Sequence, residues 1–230
     1  MNKDNFHISI LFVFVFSLFS SSTLLSREYL SPAELEKWFN SDDELPTSKV
    51  NDGQLIFLTS NTRKNVFHSV INIFIGQNSI DDGWTRLTQC YSNLDPIHRT
   101  AVVYRKNLIK NLKVLSSKNI KHTKVSGNKV LLKDVSKNAT LCIGANARNF
   151  YQNEDESFSL INGPYHRKFL DGYYPYHLKL NMHYIPKLKF SYGSPKQQPG
   201  FQVKQDSNSL LIDTLFKGRL KTEFRFNLIK

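Results

Sequence analysis

Residues 219–228 constrain the fold more tightly than any other stretch. Leu220, Thr222, Phe224, Phe226 and Leu228 alternate with Arg219, Lys221, Glu223, Arg225 and Asn227. A two-residue period puts successive side chains on opposite faces of a strand, so this stretch reads as a strand with one apolar and one charged face. The period returns at 177–184, where Leu178, Leu180, Met182 and Tyr184 share a face, and again through Leu188, Phe190 and Tyr192. Between Val66 and Ile75, Phe67, Ile71, Ile73 and Ile75 take one side and Val66, His68, Val70, Asn72 and Phe74 the other. That pattern predicts a strand buried on both faces, with His68 as a hydrogen-bonded core residue.

Turn chemistry separates these runs. Asp81-Asp82-Gly83, Asp95-Pro96, Ser126-Gly127-Asn128, the loop Ser194 to Gly200 and Asp206-Ser207-Asn208-Ser209 all read as bends, and Ser126-Gly127-Asn128 as a hairpin turn. Short alternating strands with turns between them predict an all-β chain built of immunoglobulin-like β-sandwich units. One helix is expected near the N-terminus. Ser31 can cap it, Pro32 suits its first position, Glu34 completes a capping box, and Leu35, Trp38 and Phe39 share a face.

The N-terminus carries the compartment signal. Lys3 precedes the apolar run Ile8 to Phe19, and Ser20-Ser21-Ser22 supplies small residues for cleavage. That is the layout of a secretory signal over residues 1–22, and the run is short against the ~20 residues of a bilayer span. Thr23-Leu24-Leu25 leaves open an uncleaved anchor; otherwise no transmembrane span is expected. The expected organisation is a signal peptide at 1–22, an acidic helical segment at 27–52, a β domain at 53–156 and a C-terminal sandwich-like unit at 157–230. The polar run Gln152 to Ser157 marks the last boundary. A periplasmic or otherwise exported protein follows. Cys90 and Cys142 are the only cysteines, and an even count in an exported chain points to a disulfide, with two buried free thiols as the other reading.

Charge narrows the partners. The chain carries a formal +12, yet residues 27–52 hold three basic and seven acidic side chains, a balance of −4. Residues 53–156 hold fifteen against seven and 157–230 twelve against four, so each is +8. The Arg105–Lys137 stretch has ten Lys or Arg against Asp134 alone, with lysines mostly at the non-core positions. An exported basic body favours an anionic envelope surface (lipid headgroup, lipopolysaccharide or acidic glycan) or an envelope protein, rather than nucleic acid. A merely solvated basic face is the other reading.

The densest group of stacking and ionisable side chains is Asn162 to His177. Tyr165, Tyr173, Tyr174 and Tyr176 suit stacking on sugar rings, and His166, Arg167 and Lys168 suit anions, Arg by a bidentate fork. The alternative is an irregular crossover between sheets, bent by Pro164, Gly172 and Pro175, with tyrosine rings plugging the sandwich end. No nucleophile motif, Walker-type or dinucleotide glycine pattern, or cysteine ligand spacing occurs, so no cofactor, metal or catalytic residue is expected. His177 and His183 lie too far apart along one strand to share an ion. The alternative to a binding or accessory role is a periplasmic hydrolase around Asp171 and His166, although Asp171-Gly172 also reads as a turn. Gly83-Trp84, Cys90, Asn93-Leu94-Asp95, Asn162-Gly163-Pro164, Phe169-Leu170-Asp171-Gly172-Tyr173 and Pro199-Gly200-Phe201 resemble elements of uncharacterised exported proteins of Gram-negative bacteria, over about residues 50–228. That resemblance implies an envelope setting and carries no known activity.

Overall fold

The alternating stretches do form strands, each with its apolar set turned inward. The computed structural model describes residues 53–59, 66–169 and 172–229. The expected signal segment, the acidic helix and Asp171 lie outside the described residues. In chain order the strands are β1 (Ile56–Phe57), β2 (His68–Ile75), β3 (Trp84–Leu94), β4 (Ile97–Val103), β5 (Ile109–Ser126), β6 (Lys129–Arg148), β7 (Phe150–Gln152) and β8 (Phe158–Tyr165). They continue as β9 (Lys168–Phe169), β10 (Gly172–Tyr173), β11 (Tyr176–Tyr184), β12 (Leu188–Ser194), β13 (Val203–Asp206), β14 (Ser209–Lys217) and β15 (Leu220–Leu228). A six-residue helix, α1 (Gln77–Asp82), joins β2 to β3.

Nine strands make the larger sheet, in the order β1-β14-β11-β2-β3-β6-β4, with β13 also beside β14 and β5 also beside β6. The smaller sheet runs β12-β15-β8-β7, and β9 with β10 forms a small hairpin. Among the described residues every pairing is antiparallel except β11 with β2, which run parallel from His177 opposite His68 to Tyr184 opposite Ile75. Strands from either side of residues 152–157 therefore meet in one sheet, and that polar stretch is the turn between β7 and β8. There Asn153 donates to the Ser157 hydroxyl at 2.9 Å, and Arg225 donates to Asp155 at 3.2 Å.

The two sheets pack face to face as a sandwich. Ile71, Ile73, Leu178, Leu180 and Met182 from the larger sheet share one buried cluster with Phe150, Phe158, Leu160, Phe224 and Phe226 from the smaller. The Tyr184 ring meets Phe226 edge-on at 5.0 Å. β11 and β15 follow their expected parity, except that Leu228 at the end of β15 is exposed. In β12 a bulge between Phe190 and Tyr192 shifts the register and leaves Tyr192 exposed, with the Arg225 guanidinium 5.3 Å from its ring centroid. β2 departs from expectation: Asn72 and Phe74 are exposed, so only its Ser69–Ile75 parity is buried. The Asp81-Asp82-Gly83 bend is the end of α1, closed by Gly83 at φ 75° with its N–H on the Ser79 carbonyl.

The longest elements, β5 and β6, form one hairpin. A two-residue loop joins Ser126 to its partner Lys129, with Gly127 at φ 57°. β5 lies along one side of β6, while β3 and then β4 share the other. Asn93, Asn119 and Asn138 take positive φ where the ladders shift register, and Asp134 does so close by, irregularities of the kind that bend a sheet, here between its β3 half and its β4 half. Beneath the bend a second cluster gathers Tyr91, Val130, Leu132, Val135, Ala139, Leu141 and Ile143.

Candidate functional site

The 162–177 segment carries the chain from the smaller sheet to the larger. Tyr165 ends β8 opposite Leu220, and Tyr176 opens β11 opposite Phe216. Their rings lie 6.4 Å apart, and Tyr176 also stacks on Phe216 at 5.4 Å and meets Phe67 edge-on at 4.9 Å. Tyr176 is buried and Tyr165 packs against the same core. Burial raises both phenols, Tyr176 to about 12. Neither ring presents a face to a ligand at the surface.

Arg167 is held by Asp95. Its Nε donates to Asp95 Oδ2 at 3.1 Å and its Nη2 to Asp95 Oδ1, a fork that uses both carboxylate oxygens. The guanidinium carbon also lies 5.2 Å, 5.4 Å and 5.9 Å from the ring centroids of Phe169, Tyr174 and Phe67. Lys168 sits over Tyr173 at 5.6 Å, and the hydroxyl end of the Tyr173 ring lies against Gly53, where φ is 72° and a Cβ would strike it. The exposed His166 still has a crowded imidazole, edge-on to Tyr173 at 6.2 Å. Desolvation of that ring, and then the positive charges of Arg219 and Lys168, hold its pKa below the usual 6.5. The crossover thus brings its tyrosines and cations together mainly with one another.

The outer face of β4, β5 and β6 is organised differently. Arg99 lies directly opposite Lys133, which lies directly opposite His122 on its other side. The next row holds Ala101, Leu131 and Lys124, and the last Val103, Lys129 and Ser126. Residues two apart share a face, so these rows present one surface about 10 Å wide. Arg99, Lys133, His122 and Lys124 are exposed, as are Leu131 and Val103 at 39% each. Asp134 is the sole acid from residue 97 to 137, and its carboxylate is engaged by the His98 ring. The intervening residues Val130 and Leu132 turn into the core beneath. The lysine spacing is visible in sequence; the alignment of three bases across three strands is not.

A second arrangement escaped the sequence altogether. The parallel register of β2 and β11 stacks the His68 ring on His177 at 4.2 Å, and His177 Nε2 lies 2.8 Å from Asp213 Oδ1 on β14. His68 therefore sits half-buried on the outward face of the sheet rather than within the core. Asp213 also borders a shallow depression of about 290 Å³ lined by Gly200, Gln202, Lys204 and Leu211. Among the described residues no three His, Cys, Asp or Glu gather as a metal site, and no helix is long and apolar enough to cross a membrane. Cys90 and Cys142, directly opposed on β3 and β6, form a disulfide.

No protein-family model and no curated protein matches this chain. Among solved structures, an M1 zinc metallopeptidase from Deinococcus radiodurans superposes with a TM-score of 0.39 and 11% identity, over 70% of this chain and 41% of that one. The acetylcholine-binding protein type 1 of Biomphalaria glabrata superposes with a TM-score of 0.24 and 10% identity, over 75% and 91%. This chain spans well under half the length of the metallopeptidase. Neither superposition is close enough to transfer a fold family or an activity.

Proposed function

We propose that this protein is a non-catalytic, exported binding module of the cell envelope that holds anionic surfaces through the outer face of β4, β5 and β6. The observation that carries this reading is the row Arg99–Lys133–His122. Like charges directly opposite one another destabilise a sheet, and here Arg99 stands directly opposite Lys133, with the His122 ring on its other side, while the nearby carboxylate of Asp134 is turned to His98. An anion arriving from solution relieves that repulsion. The chain's formal +12 supplies long-range attraction toward an anionic surface. The Cys90–Cys142 disulfide is in keeping with an oxidising compartment outside the cytosol.

The test is co-sedimentation of the full chain with anionic vesicles and with lipopolysaccharide across a salt series. Raising salt from about 0.1 M to about 1 M shortens the screening length from about 10 Å to about 3 Å. Binding should weaken steeply over that range. Binding of equal strength throughout overturns the electrostatic reading.

A further inference from the structure

We propose that the row Arg99–Lys133–His122 receives the phosphate of an anionic phospholipid headgroup, with Leu131 and Val103 entering the acyl boundary beside it. This rests on the anionic-surface reading above and names its ligand. The three side chains stand abreast on neighbouring strands, about 4.8 Å from one to the next. Arg99 supplies a planar fork of donors, Lys133 a compact charge at the centre, and His122 a ring N–H. Standing abreast, they offer a line of donors on one face to an anion seated over Lys133, and charge-assisted hydrogen bonds to phosphate are the strong kind.

The aliphatic residues choose the source of the phosphate. Leu131 lies one row further toward the hairpin tip, between Ala101 and Lys124, and Val103 lies in the row after that. A free phosphate or an acidic glycan makes no use of exposed aliphatic side chains. A bilayer does, because its headgroup phosphates lie directly above the acyl boundary. The tip itself, Gly127-Asn128, carries no charge. Lysines beside such a tip keep their stems on apolar surface and their charges at headgroup level.

The experiment floats the full chain with phosphatidylglycerol vesicles, with phosphatidylcholine vesicles, and with phosphatidylglycerol vesicles in the presence of excess inorganic phosphate. Four variants run beside it: Lys133→Glu, Lys133→Arg, Leu131→Ser and, on β11 of the same sheet, Lys179→Gln. Thermal melts confirm that each is folded. The native chain should bind phosphatidylglycerol vesicles and not phosphatidylcholine. Lys133→Glu should weaken that binding about tenfold or more, since each cation at a membrane surface contributes about 1 kcal/mol and reversal counts twice. Leu131→Ser should weaken it too, Lys133→Arg, which keeps the charge, should recover most of the binding that Lys133→Glu loses, and Lys179→Gln should bind as the native chain does. Undiminished binding by folded Lys133→Glu overturns the row while leaving the anionic-surface reading intact. Undiminished binding by Leu131→Ser, or full displacement by inorganic phosphate, overturns the lipid assignment. If the native chain binds neither these vesicles nor lipopolysaccharide, the broader reading falls and this one with it.

Discussion

Arg167 donates to both oxygens of Asp95, and the rings of Phe67, Phe169 and Tyr174 gather around its guanidinium. A lysine cannot reproduce the fork or the planar stacking. Arg167→Lys should therefore lower stability by about 1–2 kcal/mol in urea unfolding. A double-mutant cycle with Asp95→Asn should show coupling of about 1 kcal/mol or more, and additive effects would refute the pair. Vesicle binding should be unchanged by Arg167→Lys. His166 gives a pH prediction at the same scale. Its folded pKa lies below the ordinary 6.5, first through desolvation and then through Arg219 and Lys168. The unfolded chain then binds more protons, so the contribution is complete above about pH 6.5 and lost as pH falls through the folded value. Unfolding midpoints of the native chain should drop more steeply below pH 6.5 than those of His166→Gln; parallel curves would refute the assignment. Residue types in 162–177 made both groups visible in the sequence. Asp95 and Arg219 were not visible as their partners, because Asp95 stands 72 residues from Arg167 and only the fold brings them together.

At the level of elements, β6 is the strand on which the others align. It pairs with β5 on one side and with β3 and β4 on the other, and the disulfide ties it to β3 at the directly opposed pair Cys90 and Cys142. The bridge closes a loop with a sequence separation of 52, which in the chain-entropy model stabilises the fold by about 4 kcal/mol. Replacing both cysteines by alanine should cost about that much in urea unfolding, and a loss below ~1 kcal/mol would place the benefit elsewhere. Alternation was a good guide wherever a strand keeps its pleat. Leu178, Leu180, Met182 and Tyr184 all turn inward as their parity requires, as do Leu220, Thr222, Phe224 and Phe226. It failed where the pleat breaks. Asn119, Asp134 and Asn138 adopt left-handed backbone at register shifts or beside them, and Asn or Asp tolerates that conformation without announcing it. α1 escaped for a different reason: six residues are fewer than two turns, too few to show a 3.6-residue period. The parallel pairing of β2 with β11, and with it the His68–His177 stack, joins residues more than a hundred positions apart and left no local trace.

Across the whole molecule, two apolar clusters have to act together, and tyrosines join them. Phe67 and Tyr104 pack against both clusters, while Tyr176 belongs to the cluster between the sheets and Tyr91 to the cluster under the bend. A part-buried hydrogen-bond network runs between them: Tyr104 donates to Gln89 Oε1 at 3.1 Å, and Gln89 Nε2 donates to Ser69 Oγ at 3.3 Å. Read from the sequence, Tyr165 and Tyr176 suit either stacking on a ligand or plugging the sandwich end, because strand parity near an irregular crossover does not say which ring turns inward. Burial raises Tyr91, Tyr104 and Tyr165 well above their usual 10.0 and Tyr176 to about 12. A phenol whose folded pKa exceeds its unfolded value contributes stability in full below the unfolded pKa and loses it as the pH rises toward the folded one. Stability should therefore be flat across neutral pH and fall above about pH 10 as the unfolded chain ionises first. Because the four phenols share the junction of the clusters, their ionisation and the loss of the fold should be a single event. An alkaline titration followed by tyrosinate absorbance and by far-ultraviolet circular dichroism should give one coincident transition for the buried phenols, after an earlier step for the exposed ones. Tyr104→Phe leaves Gln89 Oε1 without its donor, so it should cost about 1–3 kcal/mol and move that transition to lower pH. Buried phenols that ionise while the β-signal persists would show that the network is open to solvent and that the two clusters melt independently.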